Sequence, residues 1–185
     1  MMLMRWITRP TTRFTSLLLL PLLAALLAGG VSSCKKDTTA VEDTAALEAQ
    51  KKVDDAAITA YVAAKSLTAT RTASGLYYVK VDTATPTAPQ PTAGKTVVVN
   101  YYGRLLTGTT EGKKFDSSYD RSQPFEFKLG AGQVIRGWDE AVAQMRVGDG
   151  WRVIIPSYLA YGTSTASTIP PNSVLIFYIK LERIK

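Results

Sequence analysis

The chain has 185 residues, of which 46% are hydrophobic and 20% charged, and its formal net charge is +7. This length accommodates one domain with appendages. The sequence contains no histidine and a single cysteine, Cys34. These counts exclude histidine-based triads, histidine-containing metal sites, thiolate metal clusters and intramolecular disulfides. Since no run of basic residues exceeds two, the sequence gives no support for nucleic-acid binding.

The N-terminus predicts an export signal over residues 1–33. Three arginines precede an uncharged apolar run at 17–31. That run is shorter than the roughly 20 residues of a membrane-spanning helix. A basic start, an apolar centre and small residues behind it are typical of a secretory signal peptide. Its removal would leave 19 basic and 15 acidic residues, a mild net charge of +4.

The sequence VSSC at 31–34 resembles the lipobox of bacterial lipoproteins. In that motif the cysteine is acylated and becomes the new N-terminus, and more than one acyl chain gives stable anchoring. The resemblance implies that Cys34 is lipidated and that everything after it is extracytoplasmic. We expect a bacterial membrane anchor, on the periplasmic or surface face of the outer membrane. The alternative is a free thiol left by ordinary signal cleavage.

Residues 34–43 are polar and predict a disordered tether, and residues 44–69 predict a helical segment. The helix spacing places one apolar stripe on Val53, Ala57, Ala60 or Tyr61, Ala64 and Leu67. The stripe spans about three heptads, which is short for an independent coiled coil. A stalk, a helix docked on the following domain and a dimer contact all remain open.

Alternating β-forming residues predict the strands that follow, at 76–82, 96–106, 125–129, 150–155 and 173–183. A proline-rich loop at 83–94, a turn at 106–114 and a long loop at 156–171 connect them. One short helix is predicted from 137 to about 145. The predicted fold is α+β, with an antiparallel five- to six-stranded sheet wrapped around this helix and preceded by the N-terminal helix.

Residues 113–138 combine apolar and aromatic side chains with one acid–base cluster. The apolar and aromatic side chains include Phe115, Phe125, Phe127, Val134, Ile135 and Trp138, and the acid–base cluster consists of Asp116, Asp120 and Arg121. Such a mixture suits an apolar pocket with a few placed polar groups. Trp138, Val142 and Met145 share one face of the predicted helix, so Trp138 would form the pocket floor. On the pattern alone, an ordinary hydrophobic core is the favoured interpretation.

The segment FDSSYDRSQPFEFKLGAGQVIRGWDEAVAQMRVGD resembles the central part of FKBP-type peptidyl-prolyl cis-trans isomerases. VVVNYYGRL upstream, and AYG and IPPNSVLIFYIKLERI downstream, resemble the same family in the same order. The resemblance covers residues 75–185 and implies an isomerase domain over 70–185. It also implies rotamase activity on proline-containing unfolded or exported polypeptides, a pocket that accepts macrolide inhibitors, and no cofactor or metal.

The resemblance also implies roles for individual residues. Substrate-binding positions of the family match Tyr101, Phe115, Arg121, Phe125, Val134, Trp138, Ile169 and Phe177. Asp116 matches the catalytic carboxylate beside the substrate carbonyl, with Arg121 as its ion-pair partner. The Ile135 N–H and the Tyr161 hydroxyl match donors to the carbonyls of the ligand. Alternatively, Asp116 is a structural carboxylate held by Arg121 and Tyr101.

Two further alternatives concern the whole protein. Its pocket could hold proline peptides as a chaperone-like module with little catalysis, or its domain could serve only as an interaction scaffold. Larger secreted members of the family dimerise through N-terminal helices, so a homodimer remains open. The loop after Tyr161, GTSTASTI, departs from the common family form. We therefore expect differences in substrate preference at the rim of the pocket.

Overall fold

A computed structural model describes residues 38–185, so the predicted signal peptide and Cys34 lie outside the described residues. In chain order the elements are α1 (Thr38–Ala64), β1 (Thr70–Arg71), β2 (Tyr77–Asp82), β3 (Thr96–Thr107), β4 (Thr110–Ser117), β5 (Phe125–Lys128), α2 (Arg136–Gln144), β6 (Gly150–Ile155) and β7 (Leu175–Ile184). Single turns of 3₁₀ helix lie at Tyr119–Arg121 and Ser157–Leu159. Within the described residues, neither helix has the length and apolarity needed to cross a membrane.

The strands form one antiparallel sheet in the order β1-β2-β6-β7-β3-β4, with β5 also pairing with β3. This confirms the predicted fold class, but two of the seven strands were not predicted. The segment predicted as a turn at 106–114 contains most of β4, and the hairpin turn itself lies at Thr107–Thr110. The prediction was wrong because β4 is a polar strand at the edge of the sheet. An edge strand can be solvated on one side, so its sequence lacks a strong apolar alternation.

The core side of the sheet packs on α2. Trp138, Val142 and Met145 are all buried there, as the spacing predicted. From β6 and β7, Val153, Ile155 and other alternate residues face this cluster. Because strand side chains alternate between faces, the intervening residues Ile154 and Ile176 are buried on the opposite face. The sheet therefore has an apolar surface on both sides.

Helix α1 covers that opposite face. Ile58 and Tyr61 are fully buried there among residues of the sheet that include Tyr77, Ile154 and Ile176. The Tyr61 hydroxyl donates to Glu111 on β4 at 2.9 Å, and the Tyr77 hydroxyl donates to Asp55 on α1 at 2.8 Å. Of the three arrangements that the sequence left open, the structure has the helix docked on the domain.

The bounds of α1 and its buried face differ from the prediction. The helix begins at Thr38, so residues 38–43, predicted as part of a tether, are helical. No glycine or proline interrupts the alanine-rich residues 38–64. The helix ends at Ala64, before a left-handed Ser66 whose neighbour Leu67 donates its N–H to the carbonyl of Val62, a Schellman-type end. Val53 of the predicted stripe is 61% exposed.

Substitutions on the two sides of α1 test its docking. Ile58→Ala should lower the free energy of unfolding by about 2–5 kcal/mol, because it leaves a cavity under the helix. Val53→Ala, on the exposed side, should change it by less than about 0.5 kcal/mol. Urea denaturation of the two variants measures the difference. Equal stability of the two variants would contradict the docked position.

Candidate functional site

A cavity of about 550 Å³ opens between the core side of the sheet and the long loop after β6. Its lining residues are Tyr101, Phe115, Asp116, Phe125, Gln133, Val134, Ile135, Trp138, Tyr161, Ala166, Ser167, Thr168, Ile169 and Phe177. Every residue predicted for the site by the resemblance lies in this lining except Arg121. Gln133, Ala166, Ser167 and Thr168 were not predicted as site residues, although the last three lie in the loop that was expected at the rim. Gln133 accepts a hydrogen bond from the Lys128 N–H at 2.7 Å, a local contact that has no periodic signature in the sequence.

Trp138 lies at the centre of the cavity's aromatic residues. Its ring centroid is 4.9 Å from that of Tyr101 and 5.2 Å from that of Phe177, both with nearly perpendicular ring planes. The Phe125 ring makes a similar edge contact at 6.1 Å. Edge-to-face pairs at these distances add stability beyond the burial of area. The floor of the cavity is therefore a rigid part of the core.

Gly103 on β3 allows two of these rings to approach the sheet. A Cβ at this position would lie 2.6 Å from Phe177 and 2.7 Å from Phe115. The centroids of these two rings are 5.5 Å apart, and the rings pack edge to face over the glycine. A side chain at position 103 would push them apart and alter the wall of the cavity. Its contribution was not predicted, because a glycine within a strand pattern gives no indication of what packs on it.

Asp116 is held at the edge of the cavity by three hydrogen-bond donors. The Tyr101 hydroxyl and the Arg121 guanidinium each donate to the carboxylate, and the Ser117 N–H donates at 2.8 Å. Arg121 also donates to the Tyr101 hydroxyl at 2.9 Å. These contacts keep Arg121 beside the cavity, where half of its side chain is exposed, and outside the lining. The contacts that the structural alternative requires are therefore all present.

This network determines the charge of Asp116. Burial raises the pKa of Asp116, but the hydrogen bonds from Tyr101 and Arg121 outweigh it and hold the pKa below its usual range. Burial, followed by the hydrogen bond to Asp116, raises the pKa of the Tyr101 hydroxyl. At neutral pH the cavity therefore contains an ionised carboxylate beside a protonated tyrosine.

In the described part of the chain, the donors at the cavity that lack a partner include one backbone N–H and one tyrosine hydroxyl. Within residues 38–185, neither the Ile135 N–H nor the Tyr161 hydroxyl has a hydrogen-bond partner. Ile135 immediately precedes α2, and Tyr161 is 41% exposed on the loop after β6. Burial and then the negative charge of Asp116 raise the pKa of Tyr161, so its hydroxyl stays protonated and able to donate. Both donors can serve carbonyl groups of a bound molecule.

The sequence of residues 88–182 matches the family model of FKBP-type peptidyl-prolyl cis-trans isomerases. The chain belongs to this family. It is 48% identical over 96 residues to FK506-binding protein 1 of Dictyostelium discoideum, which covers 51% of this chain and 86% of that protein. It is 49% identical over 96 residues to the peptidyl-prolyl cis-trans isomerase FKBP1A of Xenopus laevis, covering 51% of this chain and 85% of the relative.

A solved structure matches a larger part of the chain than these two relatives do. The crystal structure of FkpA from Escherichia coli matches with a TM-score of 0.57 and 32% identity, over 82% of this chain and 74% of that one. The chain is an FKBP-type peptidyl-prolyl cis-trans isomerase, as the resemblance implied. The relatives do not bear on the lipobox at Cys34, which stays a prediction. The family match begins at residue 88, and the predicted domain start at residue 70 also stays a prediction.

The lowered pKa of Asp116 predicts how the stability of this FKBP-type isomerase depends on pH. A carboxyl whose pKa is lower in the folded state stabilises the fold above its unfolded pKa, about 3.9, and the stabilisation is lost as pH falls through the folded value. Asp116→Asn should therefore be less stable than wild type at neutral pH, with the gap narrowing below about pH 4. Thermal unfolding at several pH values measures this gap.

Asp120→Asn is the matched control for that experiment. It removes an exposed carboxylate in the 3₁₀ turn that follows β4, four residues after Asp116, and this carboxylate pairs with Lys114 outside the cavity. Any general effect of removing one negative charge from this part of the chain appears in both variants. A gap between wild type and Asp116→Asn that stayed constant from neutral to acidic pH would contradict the stabilising network around Asp116.

Proposed function

We propose that this isomerase accelerates rotation about X–Pro bonds in exported polypeptides by holding the proline in the aromatic cavity. The observation that carries the proposal is the composition of the cavity. Buried aromatic rings line it around Trp138, while one ionised carboxylate and two unpaired donors lie at its edge. This arrangement suits a proline ring flanked by two peptide carbonyls.

The physical basis is the difference in polarity between the planar and twisted amide. An X–Pro bond rotates over a barrier of about 18–20 kcal/mol, and uncatalysed exchange takes tens of seconds or longer. Twisting breaks the amide resonance, so the transition state is less charge-separated than the planar form. An apolar pocket therefore disfavours the ground state more than the transition state, which is the differential binding that catalysis requires. The reaction requires no nucleophile, cofactor or proton transfer.

The polar groups at the edge would orient the peptide. The Ile135 N–H and the Tyr161 hydroxyl would donate to carbonyls on either side of the proline, and Asp116 would act beside the carbonyl of the twisting bond. These hydrogen bonds would hold the chain on either side of the proline while the bond rotates, so that part of the binding free energy is used to orient the reacting amide. Ser167, Thr168 and Ile169 lie in the rim, where the residue before proline would contact the loop. We expect this rim to set the substrate preference.

One observation favours a second candidate, a proline-binding module with little catalysis. Both carboxylate oxygens of Asp116 already accept hydrogen bonds from the protein. A carboxylate so occupied could serve only to position Tyr101 and Arg121. The two candidates differ in whether the wild-type protein accelerates isomerisation.

The activity of the wild-type protein distinguishes them, and Asp116→Asn tests the role of the carboxylate, because it keeps the shape of the side chain and removes its charge. If the charge acts on the twisting amide, the variant should bind a macrolide pocket ligand with near-normal affinity. Its kcat/KM should fall about tenfold, which corresponds to about 1.4 kcal/mol of transition-state stabilisation. A proline-isomerisation assay and ligand titration measure the two quantities.

Asp120→Asn serves again as the control and should retain the wild-type kcat/KM and the wild-type affinity for the ligand. Full activity of Asp116→Asn would assign the carboxylate a structural role, leaving the apolar cavity and the two donors to account for catalysis. A wild-type protein that binds the ligand tightly but does not accelerate isomerisation would favour the binding module.

We also propose that the protein is an extracytoplasmic lipoprotein anchored through Cys34. The support is the basic and apolar N-terminus followed by VSSC. Acyl chains contribute roughly 0.8 kcal/mol per buried methylene, so two or more give stable attachment. An isomerase tethered in this way would meet polypeptides as they emerge from export.

Cys34→Ala tests the anchor. In bacterial cells given a labelled fatty acid, the wild-type protein should incorporate the label and sediment with membranes. The variant should incorporate none and appear in the soluble extracytoplasmic fraction. Ser33→Ala, which retains the thiol, is the control and should behave as wild type. Unchanged membrane association of Cys34→Ala without detergent would refute the lipid anchor.

A further inference from the structure

Asp54 on α1 is a buried carboxylate, 1% exposed, at the contact between the helix and the loop after β6. One of its oxygens accepts from Gln50 Nε2 at 2.7 Å. The other accepts from both the N–H and the hydroxyl of Ser157, at 2.8 and 2.7 Å. Among the described residues it takes part in no ion pair. Burying a carboxylate that only neutral donors hold costs free energy of desolvation. Apolar contacts alone can dock a helix, so docking does not require this buried carboxylate.

Ser157 begins the turn that leads to Tyr161. Its carbonyl accepts from the N–H of Gly162, the residue directly after Tyr161, at 2.8 Å. The carbonyl of Gly162 in turn accepts from the N–H of Asn172 at 2.7 Å, near the far end of the loop. A continuous series of hydrogen bonds therefore joins Asp54, through Ser157, to the backbone on both sides of Tyr161.

The side chain of Tyr161 has no hydrogen bond of its own that would fix its position. Its hydroxyl has no hydrogen-bond partner within residues 38–185, and much of its side chain is exposed. Its position in the cavity wall therefore depends on the backbone of the loop. Leu159 anchors the turn in the core, and Lys51 of α1 places its ammonium 5.4 Å from the centroid of the Tyr158 ring. Helix α1 thus contacts the same turn at two points.

We propose that Asp54 is a positioning residue for the isomerase reaction. By binding both donors of Ser157, it fixes the start of the loop and with it the Tyr161 hydroxyl, so this one side chain of α1 contributes to the geometry of the active site. The proposal rests on the donor role of Tyr161 in the proposed function. Ile58 and Tyr61 supply the apolar area that docks the helix, whereas the directional bonds of Asp54 set the position of the loop relative to it.

Four variants of the full-length protein test this assignment. Asp54→Ala removes the acceptor, and Asp54→Asn keeps an oxygen that can still accept from Ser157. Asp55→Ala is the neighbouring control, because Asp55 binds Arg71 and Tyr77 and not the loop. Ile58→Ala weakens helix docking without touching Ser157. The measurements are kcat and KM at a temperature where every variant is folded, and amide hydrogen exchange at Gly162 and Asn172.

We expect Asp54→Ala to lower kcat/KM about fivefold, or about 1 kcal/mol at 1.36 kcal/mol per tenfold, and to speed exchange at Gly162 and Asn172. Asp54→Asn should retain most of the wild-type kcat/KM and most of the wild-type protection of Gly162 and Asn172 against exchange. Asp55→Ala and Ile58→Ala should lose stability but keep their kcat/KM and loop exchange. If Asp54→Ala and Ile58→Ala behaved alike, or if loop exchange were unchanged in Asp54→Ala, the proposal would be overturned.

A double-mutant cycle with Tyr161→Phe tests the route through the hydroxyl. In that background Asp54→Ala should cause little further loss of kcat/KM, because the donor it positions is already absent. Additive losses would overturn the route through Tyr161. Full activity of Tyr161→Phe alone would refute the donor role in the proposed function. Faster loop exchange in Asp54→Ala would then still support the bracing of the loop by α1.

Discussion

The packing of Trp138 between α2 and the sheet is the interaction on which both the fold and the site depend. The indole is buried in the core, and its edge-to-face partners Tyr101 and Phe177 come from the two long central strands. The same rings line the cavity. Because a protein interior is closely packed, a cavity with such walls retains its shape without a ligand. The shape of the site is therefore a consequence of the stability of the fold.

The sheet connects this site to a second helix on its other face. Alternate residues of β6 contribute to two separate clusters, with Val153 and Ile155 on the side of α2 and Ile154 on the side of α1. The chain leaves β6 at Ile155 and reaches Ser157 two residues later, where it meets Asp54. The loop that carries Tyr161 therefore begins where both helices are close to the strand. In the sequence α1 looks like an appendage, but in the structure a single hydrogen-bonded turn separates it from the cavity.

The cavity could be predicted from the sequence because its residues lie in long segments that resemble one family. The docking of α1 could not, since apolar spacing in an alanine-rich helix indicates several stripes about equally well. The buried face is decided by Ile58, Tyr61 and the polar Asp54, whose burial depends on donors a hundred residues away at Ser157. Arg121 lies outside the lining because its hydrogen bonds to Asp116 and Tyr101 hold it beside the cavity, and its contact with substrate stays a prediction. Local patterns do not contain such long-range partners.

The electrostatics of the cavity match a reaction without proton transfer. Its lining includes three ionisable side chains, Asp116, Tyr101 and Tyr161. The pKa of Asp116 lies below its ordinary value of 3.8, and both tyrosine pKa values lie above 10.0. None of the three therefore changes its charge near neutral pH, and no histidine is present to do so. The site presents a constant arrangement of one negative charge and neutral donors. Such an arrangement can orient and stabilise a twisted amide, whereas a general acid–base catalyst would need a group that titrates near the working pH.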